Sequence, residues 1–420
     1  MTGLVHIVGA GIAGLSAAVA ATEAGRAVHL YEAAPQAGGR CRTVTGADGF
    51  THDNGAHVLL SANRAALGLI DRIGAQDGWT EPEPQGLPVY DARERRLSRI
   101  GLSPWSWMAR DRRPPGMALA DLPRLARLAA PLAPPLAPPL ADRPIGPLFA
   151  GSALHDQLIE PLTVAVLNTP VSRASSARLG RALRRVMRPG GARLLVARNG
   201  LGPDLVDPAI AFLAQRGAHL RTGMRLRAME AQDGRAGALV FAGETIRLNG
   251  EDRVILALPP TEIARLFPQI TVPESFEPIV NAHFALDPPL PAEAVPRFIG
   301  LVGTVSQWVL VRADHLSVTV SAAEDRIADN PERLLARIEA EIAPALAVAG
   351  VSCRIGERRR LVKEKRATMT QDAGGAVYRP RPPLRGLALA GDWIGPLPAT
   401  IEAAVLSGRD ALAQITRERP

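Results

Sequence analysis

The chain opens on a mostly apolar run, Leu4 to Val8, interrupted only by His6 and ending in glycine. Such a run, bounded by turn residues, predicts a strand buried on both faces. From about Ile12 to Ala24 nearly every residue is small or apolar, which predicts a buried helix with Gly25 as its stop. Ala27 to Tyr31 predicts a second buried strand that ends at Glu32. A helix is expected from about Ala65 to Ile73, followed by an irregular region around Pro82, Pro84 and Pro88. Helical periodicity returns over 153–187 and from Leu205 to Ala214. Gly217 to Met229 and Ala238 to Leu248 predict paired strands about the turn Asp233-Gly234. Buried or half-buried strands are expected at Arg253–Leu258, Val280–Leu286, Phe298–Val311 and Leu316–Ala322, and a helix at Pro331–Ile342. The pattern closes with a short strand, Leu387–Ala390, the turn Gly391-Asp392-Trp393, and a helix from about Thr400 to Ile415.

One stretch resists this description. Residues 104–150 are rich in Pro, Leu and Arg, and LAAPLAPPLAPPLA, from Leu128 to Ala141, is of low complexity. Its prolines favour extended or broken backbone and exclude a membrane-spanning helix. A surface linker, an apolar lid and a membrane-facing flap all remain open readings.

At 420 residues the chain is long enough for two domains and a large core, and 47% apolar with 21% charged residues fits a globular enzyme. The formal charge of +8 comes from 47 arginines and only two lysines, Lys363 and Lys365. That skew fits compositional bias or attraction to an anionic membrane. With three Tyr, eight Phe and no dense basic run, nucleic acid is not an expected partner. Cys41 and Cys353 make neither a disulfide framework nor a metal set, so a reducing, cytoplasmic setting is expected. The histidines lack metal-ligand spacing, and no metal is expected.

GAGIAG after a strand carries the first recognisable chemistry. Gly9 permits the tight turn, Gly11 lets backbone approach a pyrophosphate, and Gly14 lets helix and strand pack closely. The helix N-terminus then offers free N–H groups to phosphate. Glu32, 21 residues after Gly11, is placed to accept hydrogen bonds from ribose hydroxyls. Gly38-Gly39 forms a second close-approach loop, and Arg40 and Arg42 can reach phosphate.

This start followed by GGR resembles the amine oxidase and phytoene desaturase superfamily of flavoproteins, and LALAGDWIGPLPATIEAAVLSG resembles its closing FAD motif. The resemblance implies FAD, held at Gly9, Gly11, Ala13, Gly14, Glu32, Ala33, Gly38, Gly39, Arg40, Gly55, Ala56, His57, Leu226, Gly391, Asp392, Pro398, Ala399 and Thr400. It implies an α/β protein in which a Rossmann-type, glutathione-reductase-like FAD-binding domain (1–75, 200–265 and 385–420) carries an inserted α+β substrate domain (76–199 and 266–384). Within the superfamily, DNGAHVLL at 53–60, Pro161-Leu162, LNTP at 167–170, Gln307-Trp308 and Leu397-Pro398-Ala399-Thr400 resemble the hydroxysqualene dehydroxylases of hopanoid synthesis, also called squalene-associated desaturases. Ala56 and Ser61-Ala62-Asn63 depart from that pattern.

The family resemblance implies reductive removal of an allylic hydroxyl from a C30 isoprenoid. It also implies peripheral contact with the inner face of the membrane and squalene-synthase-like pathway enzymes as partners. An oxidative carotenoid or squalene desaturase and a non-catalytic lipid-binding flavoprotein are the alternatives. His57 and Asp53 are the candidate catalytic residues. His57 can donate a proton to a leaving hydroxyl, or hydrogen-bond flavin or backbone. Asp53 can orient His57 or cap a turn. Glu160, within DQLIEPL, is either a buried acid or a residue on a solvated helix face.

Overall fold

The computed structural model describes residues 3–118, 120–129 and 141–417. Its centre is a five-stranded parallel sheet in the order His219–Arg221, Val28–Tyr31, Val5–Val8, Arg253–Leu256, Leu387–Leu389. The strands come from the beginning, middle and end of the chain, so the nucleotide-type sheet closes only when distant segments meet. Ile12–Glu23, Asp207–Gln215 and Ile401–Arg417 pack on one face in a core that includes Ile7, Leu15, Leu30, Val405 and Leu412. The first and last helices nearly touch: a Cβ on Gly408 would lie 2.2 Å from the carbonyl oxygen of Ala13. A small antiparallel sheet, Leu226–Gln232, Arg235–Phe241 and Thr245–Arg247, covers the other face through Val8, Tyr31, Leu239 and Phe241. Burial on both faces explains why the parallel strands read as continuous apolar runs.

A seven-stranded mixed sheet forms the second large layer, in the order Ile355–Met369, Phe276–Leu286, His315–Val320, Trp308–Val311, Arg297–Val302, Leu87–Asp91, Arg96–Ile100. Alternation along Phe276–Leu286 decides what each face does. Val280, Ala282, Phe284 and Leu286 join a core with the helix Pro331–Val348. Asn281 and His283 face the opposite way, toward the segment 52–55.

Several expectations change in the tertiary structure. The single strand expected over 298–311 is a hairpin, broken where Gly303 takes a φ of 80°. The strand expected over 217–229 divides: 219–221 joins the parallel sheet and 226–232 the antiparallel one, while the turn at Asp233-Gly234 stands as expected. The proline-marked region holds the hairpin 87–91/96–100. Ile355–Met369, rich in Arg, Lys and Glu, lacks an apolar signal because it is an edge strand with much of its length open to solvent. Helical structure over 153–187 is interrupted at Asn168, whose φ is 48°. Of residues 104–150, short turns at 104–108 and 110–112 and the helix Asp121–Ala129 are described; the Leu/Pro stretch over 130–140 lies outside the described residues. Among the described residues no helix is long and apolar enough to cross a membrane.

Candidate active site

The site is built along the carboxyl ends of the parallel strands. At Gly9, φ is 103°, and its N–H donates to the Tyr31 carbonyl at 2.7 Å. A Cβ on Gly14 would stand 1.8 Å from the Gly9 carbonyl oxygen, so packing inside the protein requires that glycine. Gly11 differs. Its φ of −73° suits any residue, and a Cβ there would meet nothing within 4 Å. The open space over Gly11 is a cradle into which a ligand can press. No side chain caps the helix that follows, and its first bond runs from Leu15 N–H to the Gly11 carbonyl. The amides of Ile12, Ala13 and Gly14 therefore stand outside the helical ladder at a positive helix end.

Glu32 lies beside this mouth. Its carboxylate accepts the Ala10 N–H at 2.8 Å and the Ala34 N–H at 2.9 Å, which fixes its position; each oxygen keeps a second lone pair for a hydroxyl. Residues 223–224 run along the same loop through Gly223 N–H to the Ala34 carbonyl and Met224 N–H to the Glu32 carbonyl, and Leu226 just beyond is buried with Tyr31 in the core beneath. Gly38 bonds to Ala10, and a Cβ on Gly39 would lie 3.4 Å from the Cα of Gly11. The two glycine loops are thus stacked. Arg40 reaches across to Asp392 at 2.7 Å and also donates to the Ala367 carbonyl. The Asp392 carboxylate holds the Arg40 pKa above its ordinary value. This donor set, backbone amides with an arginine at one end and a carboxylate at the ribose position, fits a dinucleotide with its pyrophosphate over Gly11.

The other end gathers residues from much farther apart. Asp53 accepts from Thr43 Oγ1 at 2.7 Å and Leu201 N–H at 2.9 Å. Its second oxygen lies 2.9 Å from Arg312 Nη2, both side chains being almost fully buried. That contact is electrostatic and not a well-aligned hydrogen bond. Asp53 thereby joins the DNGAH loop to the seven-stranded sheet, and His57 is not among its partners. His57 Nδ1 instead donates to the Gly55 carbonyl at 2.9 Å. A carbonyl only accepts, so the neutral ring carries its proton on Nδ1 and presents Nε2 as an acceptor. Burial pushes the His57 pKa below its ordinary value, partly opposed by the bond to Gly55. Gly55 is pinned: a Cβ there would lie 3.2 Å from Asn281 Nδ2 and 3.4 Å from His57 Cε1. Asn281 donates to the Asn54 carbonyl and accepts from Thr319. Ala56, partly buried, packs with Val58 and Leu60 against the core of Leu87, Val89, Val196 and Leu310. Glu160 is exposed on its helix.

Four residues that tie this end together were given no role from the sequence. Asn281 lies within a strand-like stretch and Arg312 in the turn just after Trp308–Val311, and neither offered a motif. Asn168, within LNTP, donates to the Glu277 carbonyl and Thr368 and accepts from Ala322, which ties helix Glu160–Leu167 to the large sheet. Gln371, 1% exposed, accepts the Ala399 N–H at 3.1 Å and donates to the Leu167 carbonyl at 2.7 Å. LNTP and LPAT are therefore parts of one network. The Ala399 amide is occupied by Gln371, so the groups left for a ligand at this end are those of Thr400 and the first turn of the closing helix. Only LNTP left a signal in the sequence, without a role attached.

A dinucleotide cradle at the ends of a parallel sheet, facing a second sheet across a polar seam, defines a nucleotide-cofactor oxidoreductase. Residues 12–416 match the family model described as flavin containing amine oxidoreductase, and the chain belongs to that family. It is 38% identical to a hydroxysqualene dehydroxylase of Rhodopseudomonas palustris over 98% of each chain, and 36% identical to that of Sinorhizobium fredii over 97% of each. Its fold is that of a putrescine oxidase solved with putrescine bound, with a TM-score of 0.72 over the whole of both chains at 17% identity. The cofactor is FAD, and the protein is an FAD-dependent oxidoreductase.

Proposed function

We propose that the protein is a hydroxysqualene dehydroxylase, which replaces the allylic C–O bond of a C30 alcohol by C–H and releases water. The observation that carries this reading is near-full-length similarity to proteins of that name, in a chain whose DNGAHVLL box stands at the flavin end of the site. The reaction consumes one hydride and one proton. Bound FAD, once reduced, supplies hydride-transfer chemistry. The chain's own residues bind, orient and exclude water. Gly11 and the helix mouth take the pyrophosphate, Glu32 the ribose, and the Arg40–Asp392 pair closes over the middle. The start of the closing helix places positive potential where negative charge on a flavin would lie. His57 is an orienting acceptor through Nε2, since its neutral form has no proton to give on that side. Asp53 anchors the loop that carries it. In this reading 1–75, 200–265 and 385–420 hold the cofactor, while 76–199 and 266–384 surround the lipid.

A C30 hydrocarbon dissolves poorly in water, so collection from a bilayer is part of the proposal. Trp105 and Met108, 75% and 80% exposed, stand beside Arg110 and Arg113, an arrangement suited to an anionic headgroup boundary on the inner face of a cell membrane. Squalene-synthase-like enzymes that deliver the alcohol are natural partners there. Flotation with anionic vesicles tests this part: a Trp105→Ser, Met108→Ser protein that floats like the wild type refutes this contact.

The deciding experiment is anaerobic. Chemically reduced enzyme mixed with hydroxysqualene should regain the oxidised flavin spectrum and yield squalene, with one deuterium at the reacting carbon when run in heavy water. Oxidised enzyme bleached by squalene would establish the oxidative desaturase instead. No spectral response to either lipid would leave a carrier.

A further inference from the structure

Beyond the cofactor seam, the closing helix, the helix Arg64–Arg72 and the end of the helix Ser176–Val186 line an open cavity of about 280 Å³. Its walls carry four arginines, Arg64, Arg185, Arg188 and Arg409, and a single acid, Glu402. The acid is already engaged on both oxygens. Glu402 is 4% exposed; one oxygen pairs with Arg185 at 3.0 Å and the other accepts the Ala66 N–H at 2.8 Å. Arg64, Arg188 and Arg409 have no ion-pair partner among the described residues, whereas Arg185 beside them is paired with Glu402.

Guanidinium groups stay protonated at any physiological pH, so three uncompensated positive charges share one concave site. All three are exposed, so water and salt screen part of their mutual repulsion, and an entering anion relieves the remainder. Glu402 does not fill that role, because its charge is spent on Arg185 and a backbone amide. It acts instead as a brace that holds Arg185 in the wall. The planar fork of arginine matches phosphate oxygens in pairs, and a phosphoryl group offers the charge and acceptor count that several converging arginines need. The cavity is smaller than the usual pocket for a drug-sized molecule, which favours one or two phosphoryl groups over a whole nucleotide.

We infer that this cavity is a binding site for a phosphate-bearing anion, distinct from the cofactor cradle. The same chemistry comes from a soluble phosphate or diphosphate and from the headgroup of an anionic phospholipid. Met187, 39% exposed between the arginines of that helix end, provides an apolar neighbour for the second source.

The test uses FAD-loaded enzyme and no turnover, so its outcome is independent of the dehydroxylase reading. Calorimetric titration with inorganic pyrophosphate, at a constant ionic strength of about 0.15 M set with chloride to screen diffuse attraction, forms one arm. Flotation with phosphatidylglycerol against phosphatidylcholine vesicles forms the other. Arg188→Gln with Arg409→Gln should weaken binding about tenfold or more in the arm that reports the true source, as expected for loss of charge-assisted bonds. Arg227→Gln, an exposed charge on another sheet, should leave it unchanged. Saturable pyrophosphate binding identifies a soluble ligand; arginine-dependent flotation without it identifies a headgroup. Absence of both, or an equal loss in Arg227→Gln, overturns the site.

Discussion

The two ends of the cofactor seam are built on different principles. At the adenosine end, the turn, the helix mouth and Glu32 belong to one stretch of about thirty residues, and the contacts that shape it are mostly backbone ones. At the end we assign to the flavin, each loop is held by a side chain from another segment: Asp53 by Arg312, Asn54 by Asn281, Ala399 by Gln371. The first end is a local motif and can assemble around its own strand and helix. The second exists only when both large sheets are docked. Damage to the first should be felt as loss of cofactor; damage to the second should loosen the whole seam.

The largest expected effects separate two glycines of the first end. Gly14→Ala forces a Cβ into the Gly9 carbonyl and should destabilise the protein by about 3 kcal/mol or more, since a backbone clash cannot be relieved by a rotamer change. Gly11→Ala meets no protein atom, so the apoprotein should melt like the wild type while FAD retention falls sharply. Equal melting losses in the two variants would remove the distinction between packing and ligand approach.

At the second end, Arg312→Met should cost about 3–5 kcal/mol in urea unfolding, because it strands the buried Asp53 carboxylate. Asp53→Asn with Arg312→Met should recover part of that loss. If Asp53 served only His57, the two single variants would differ widely in stability and activity. Similar losses in both sharpen the picture of a structural tie.

A smaller effect follows from the histidines behind this tie. His283 is fully buried, stacked on His52 with centroids 4.3 Å apart, near His315 and Arg312, and its Nε2 has no hydrogen-bond partner. Burial, reinforced by these neighbours, holds the His283 pKa well below 6.5, and burial lowers that of His52. The unfolded chain binds these protons more readily than the native one. Stability from the neutral pair is therefore complete above pH 6.5 and declines as the pH falls below it. His283→Gln should flatten the fall in melting temperature between about pH 6.5 and 5, as the linkage relation requires. An unchanged slope would assign the acid sensitivity to carboxylates.

Much of the first end was legible in the residues. The strand, the glycine turn, the helix and Glu32 follow from patterns a few residues long, and the observed elements differ from the expected ones by a residue or two at their ends. The closing strand and helix were legible for the same reason. The edge strand Ile355–Met369 was not, because its place is decided by unpaired backbone on Phe276–Leu286 and not by its own side chains.

The sequence by itself determined the cofactor cradle, the family and the order of the principal elements, because backbone turns, helix periodicity and strand burial are short-range properties. Only the tertiary structure decided which acid meets which arginine, and that LNTP and LPAT are one network through Gln371. Those outcomes depend on hydrogen bonds between residues as far apart as the 352 positions separating Arg40 from Asp392. A side chain's partner at that distance is set by how whole sheets dock, and nothing in its own neighbourhood along the chain encodes it.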